Sequence, residues 1–144
     1  MPILTASWQF WAILAAIFAA LTAVFAKVGV DEVNADFATF LRTLVVIVVL
    51  GGVLFATRQF QPLHTISARG AGFLVLSGLA TGASWVCYFR ALKFGQVAQI
   101  APVDKLSVVL VAFFGALFLG ENLSPGSWAG VGLVALGAVL IAAG

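Results

Sequence analysis

Arg90-Ala-Leu-Lys-Phe-Gly-Gln-Val-Ala-Gln-Ile-Ala-Pro-Val-Asp-Lys-Leu106 leads into an apolar run that lasts to Glu121. The stretch has the length and oiliness of a membrane span, yet it places Pro102, Asp104 and Lys105 close together. A charged side chain in hydrocarbon is costly and survives where it faces a bundle interior or a watery cavity. Intramembrane charge of this kind is the first place to look for function.

Composition supports the membrane setting. The chain is 63% hydrophobic and 8% charged, whereas a soluble domain carries about a quarter charged residues. Five apolar runs are each long enough to cross about 30 Å of hydrocarbon as a helix. The expected spans are 8–26, 35–57, 70–92, 96–120 and 125–143, making one all-α, polytopic five-helix domain over residues 1–144. Strands are not expected, because no alternation of apolar and polar residues persists.

Other function classes lose ground on the same count. Net charge is only +2, and the cations are scattered, so nothing could track a nucleic-acid backbone. One cysteine, Cys87, and one histidine, His64, offer no disulfide, metal set or redox pair. They are expected to be a packed thiol and a solvated imidazole, and no metal or cofactor is expected. An intramembrane enzyme is disfavoured for want of a nucleophile–base pair within the spans.

Local signals mark the helix ends. The first span, with Trp8 and Trp11 at the interface, is expected to end at Lys27. It is not expected to be a signal peptide, since no Lys or Arg precedes the apolar run and the run is longer than an h-region. A loop, Lys27 to Asn34, follows. Asn34 should cap the second helix, with Asp36 in its first turn suiting the helix dipole. Ser124 with Pro125 should start the fifth span. Ala15, Ala19 and Ala23, and the pairs Gly78/Gly82 and Gly126/Gly130, permit close helix approach.

Depth brings the charges together. Helices two and four enter from the same side of the membrane. Arg42 lies about seven residues into one, and Asp104 and Lys105 about eight into the other, so at about 1.5 Å per residue they reach similar depths. The candidate substrate- or ion-binding residues are therefore Arg42, Asp104 and Lys105, with Tyr88 and Arg90 near the mouth of that layer. Pro102 is the expected helix kink. Neighbours on a helix point about 100° apart, so Asp104 is expected to pair with Arg42 rather than with Lys105. Snorkelling of Arg42 to the interface, or charges that only pin helix packing, are the plainer alternatives.

Tyr88-Phe-Arg-Ala-Leu-Lys-Phe-Gly95 through Pro102, then Leu117-Phe-Leu-Gly-Glu-Asn-Leu-Ser124, resemble the EamA-type repeat of the drug/metabolite transporter superfamily, as does the first helix with Ala26-Lys27. The likeness covers nearly the whole chain but one repeat of it, where typical members carry two in inverted orientation. It implies a secondary carrier of amino acids or other small metabolites. Carriers rock two repeats about a midplane site, so one repeat implies a homodimer, antiparallel or parallel, or a half-size hetero-partner. The expected reading is thus a half-size secondary transporter in a prokaryotic inner membrane. Arg42 and Lys105 outnumber Asp104, which favours an anionic or zwitterionic substrate. The alternatives are a multidrug or lipid-carrier translocator of the same superfamily, for which a buried Glu is missing, and a non-transporting membrane subunit.

Overall fold

The computed structural model describes residues 7–144. Among them the order is α1 (Trp8–Glu32), α2 (Ala35–Thr57), a 3-10 turn (Leu63–Thr65), α3 (Ala68–Phe94), α4 (Val97–Asp104), α5 (Ser107–Phe118) and α6 (Pro125–Ala143), with no strand among the described residues. Five helical segments of the described residues are long and apolar enough to cross a membrane, with α4 and α5 together forming one of them, Val97–Phe118.

The apolar side chains face outward. Val48 is 73% exposed and Leu133 70%, which in water would leave far more apolar surface than a soluble monomer tolerates. Lipid is the solvent that such a surface fits. Several threonine hydroxyls bond the carbonyl one turn back in their own helix, as suits a medium without water. Thr39 donates to Ala35 O at 2.9 Å, Thr43 to Thr39 O at 2.8 Å and Thr81 to Ser77 O at 2.8 Å.

The expected caps are present. The Asn34 side chain accepts from the backbone amides of Asp36 and Phe37, and Ser124 accepts from Ser127 with Pro125 opening α6. The end of α1 differs from expectation. α1 does not stop at Lys27 but continues to Glu32, so only Val33 and Asn34 separate it from α2. Lys27 bonds Asp31 one turn on, at 3.2 Å, an i,i+4 pair that supports helix rather than ending it.

The expected single helix 96–120 is two helices. Pro102 lies inside α4 and supplies no amide donor. Beyond it the bonds tighten. Leu106 N–H reaches Val103 O, Val108 N–H reaches Lys105 O and Val109 N–H reaches Leu106 O, each three residues back. α5 restarts at Ser107. The interruption falls at Lys105 and Leu106, beside the charged pair.

The described residues divide into two compact units, Ala26–Lys93 and a second made of the chain up to Phe25 with Phe94–Gly144. In the first, Val30, Ala35, Thr39, Phe89 and Leu92 are buried. In the second, α4 and α5 pack on α6, and the rings of Phe113 and Trp128 meet edge to face with centroids 5.5 Å apart. After α5, Gly120 takes φ +68°. Past it, Glu121 N–H returns to Gly115 O at 3.1 Å. The Glu121 carboxylate closes over Gly115, where an added Cβ would lie 2.6 Å from Oε2. Cys87, expected to be packed, lies instead on an exposed face of α3, and His64 is exposed on the 3-10 turn.

Candidate functional site

In the Ala26–Lys93 unit, one end is fastened by four ionic groups. The carbonyls of a helix's last turn lack amide partners within the helix. Lys93, in the last turn of α3, donates to three carbonyls where α1 ends: Val30 at 2.6 Å, Asp31 at 3.3 Å and Val33 at 3.0 Å. Lys27 of α1 does the reverse, donating to Leu92 O near the end of α3 at 2.8 Å. Each helix thus caps the other's C-terminus with a lysine, where a cation also meets the negative end of the dipole. Arg90 joins α3 to the start of α2. Its Nε and Nη2 donate to Asp36 Oδ1 and Oδ2 at 2.8 and 2.7 Å, a two-pronged pair. Arg90, expected at the mouth of the site, is therefore engaged by Asp36.

Farther along α2, Arg42 rests against rings. Its guanidinium carbon lies 4.1 Å from the centroid of the Trp85 ring and 5.5 Å from that of Phe89. Such cation–π contacts stabilise a desolvated arginine by about 2 kcal/mol or more. Trp85 is half-buried and Phe89 buried, so the two rings form a fixed seat. Within the Ala26–Lys93 unit no carboxylate pairs with Arg42. Tyr88, one residue before Phe89 on α3, is half-buried.

In the other unit, the Asp104 carboxylate sits 3.5 Å from the Lys105 ammonium. The pair was not expected, because adjacent positions on a regular helix diverge. Lys105 caps α4 and begins the interruption, so the regular-helix geometry does not hold there. Sequence reasoning also passed over Trp85 and Phe89 as a seat, although their spacing of four puts them on one face of α3. It read Lys27 only as the end of the first span.

Membrane-length helices with ionisable groups inside them define an integral membrane protein suited to moving solutes. The chain belongs to the EamA-like transporter family, which matches residues 6–143. It is 60% identical over 136 residues to an uncharacterized transporter in the cobO 3' region of Sinorhizobium sp, covering 94% of this chain and 96% of that protein. It is 38% identical over 80 residues to the uncharacterized transporter YwfM of Bacillus subtilis, 54% of this chain and 27% of that protein. To the pseudopaline exporter CntI of Pseudomonas aeruginosa it is 29% identical over 92 residues, 64% of this chain and 32% of that protein. No solved structure matches the chain.

Proposed function

We propose that the chain is a half-size secondary transporter of a small metabolite, working as a dimer in the cytoplasmic membrane of a prokaryote. The observation that carries this reading is the alignment of this chain over 96% of the Sinorhizobium transporter's own length. Alternating access moves one repeat against another, so a second copy or a similar half supplies what one repeat lacks. Arg42, with Tyr88 beside it, takes the substrate. Asp104 and Lys105 carry the coupling ion where the helix is interrupted, and Pro102 provides the hinge. Arg90 acts through its pair with Asp36.

The test is uptake and counterflow in proteoliposomes with a metabolite library, comparing the native chain with Asp104→Asn. Neutralising Asp104 removes the carboxylate of the pair and is expected to abolish or strongly slow transport while the protein still inserts. Full transport by that variant would remove Asp104 from the mechanism. Transport by a particle with the mass of one chain would rule out the dimer. If no solute moves although the protein is folded, the non-transporting subunit takes this reading's place.

A further inference from the structure

Between α2 and α3 the chain runs Arg58-Gln-Phe-Gln-Pro-Leu-His-Thr-Ile-Ser67, and Arg69 follows in the first turn of α3. Thr57 ends one membrane-length helix and Ala68 begins the next, so this short connection stays close to the membrane surface. Its apolar side chains do not fold inward. Phe60 is 64% exposed, and Leu63, which opens the 3-10 turn, is 84% exposed. Inside a span such exposure calls only for lipid tails. On a connection it sets two apolar side chains beside polar neighbours, the mixture that suits the membrane interface. Charge adds a second observation. Arg58 and Arg69 bracket the connection, and the sequence has no Asp or Glu between Asp36 and Asp104. Within the Ala26–Lys93 unit the carboxylates belong to the fastened end, where Asp36 lies about 33 Å from Arg58 along α2. The Arg69 guanidinium carbon is 6.0 Å from the centroid of the Phe73 ring. Phe73 is exposed one turn into α3, so this cation sits where a lipid-facing ring meets the surface. Arg58 holds left-handed backbone at φ 54°, and strain kept at a position that glycine would fill points to a use for the side chain.

From this arrangement we infer that the α2–α3 connection is a docking surface for anionic phospholipid of the surrounding bilayer. Arg58 and Arg69 take the headgroup phosphate, and Phe60 and Leu63 enter the boundary of the acyl chains. The inference goes beyond transport and does not depend on it, since it needs only that the chain spans a membrane. A guanidinium fork matches phosphate oxygens with parallel N–H donors, and basic side chains at a membrane surface draw anionic lipid. The apolar pair alone would favour every phospholipid alike. The arginines supply the choice of headgroup, because a choline group would meet two like charges and no carboxylate on the connection itself.

A fluorophore on the connection tests this. Leu63→Cys in a Cys87→Ser background is labelled with bimane, whose emission shifts to the blue as it leaves water. The labelled chain in a neutral detergent is titrated at low salt with dioctanoyl phosphatidylglycerol and, separately, with dioctanoyl phosphatidylcholine. A saturable blue shift is expected, with phosphatidylglycerol bound at least about tenfold more tightly, since each basic group at the surface contributes about fivefold. High salt should shrink that preference, and the double variant Arg58→Gln/Arg69→Gln should remove it. Phe60→Ser should weaken both lipids alike. Equal affinity for the two lipids overturns the anionic choice, and this is also the result if a carboxylate elsewhere in the chain already holds the arginines. A preference that survives the double variant puts the lipid at some other surface and overturns the assignment. Absence of any shift at position 63 overturns the insertion of the apolar pair. A shift that follows protein concentration without lipid makes a second copy the occupant and overturns the proposal as well. If the double variant fails to fold, Arg58→Gly, which relieves the backbone while removing the cation, decides together with the salt series.

Discussion

Arg58 and Gly120 both hold left-handed backbone, and only one of them is suited to it. After α2, Arg58 takes φ 54° and ψ 36°. Its amide bonds Phe55 O, and the Gln59 amide bonds Leu54 O, which is the pattern of a helix end normally closed by glycine. A side chain there costs about 1–2 kcal/mol. Gly120 takes φ +68° with open space where a Cβ would go, so substitution there would be opposed by backbone strain rather than by a clash. Changing Gly120 to Ala is therefore expected to lower stability by about 1 kcal/mol, and changing Arg58 to Gly to raise it by a similar amount. Thermal melting in detergent measures both, and shifts of the same sign would refute the assignment. Asn34 and Ser124 were legible from sequence as caps because a cap is a local matter of a few residues. Arg58 was not legible, because nothing in its neighbours announces a left-handed arginine.

Helices show where local reading stops. That five segments cross a membrane follows from their length and oiliness, and the structure agrees. The true end of α1 does not follow. Lys27 and Lys93 look like charges that close spans, yet they close each other's helices through bonds that link residues more than 60 positions apart. The same limit applied to Asp104. Its pairing with Lys105 depends on an interruption that Pro102 suggests but does not locate. Because Asp36 and Arg90 satisfy each other with two bonds, removing either one strands its partner. Asp36→Asn and Arg90→Gln are each expected to lower the melting temperature, and the double variant to lose less than the two losses summed. Strictly additive losses would mean that the pair does not hold α2 to α3. The lysine caps, each worth typically about 0.3–1 kcal/mol at a helix end, should respond more weakly, with Lys93→Met costing more than Lys27→Met because Lys93 serves three carbonyls.

At the scale of the whole molecule, the proposed dimer raises the question of how its two copies would be oriented. Orientation in the membrane follows the distribution of Lys and Arg near the span ends. On the side where α2 ends and α3 begins stand Arg58 and Arg69, and on the opposite side stand Lys27, Arg90 and Lys93. Two against three is a weak bias, and it permits insertion both ways. Copies in opposite orientation would recreate the inverted pair of repeats that alternating access uses, so we expect an antiparallel homodimer of dual topology, with the C-terminus somewhat more often in the cytoplasm. A pair of C-terminal reporters tests this, one active only in the cytoplasm and one only outside it, each fused to the chain in a bacterial host. Both should give signal. Adding a lysine next to Arg58 should then raise the outside signal, because that loop becomes the more basic one and is retained in the cytoplasm. Adding a lysine next to Lys93 should raise the cytoplasmic signal. Signal from one reporter alone, unmoved by either lysine, would end the dual-topology proposal and point to a parallel dimer or to a different half-size partner.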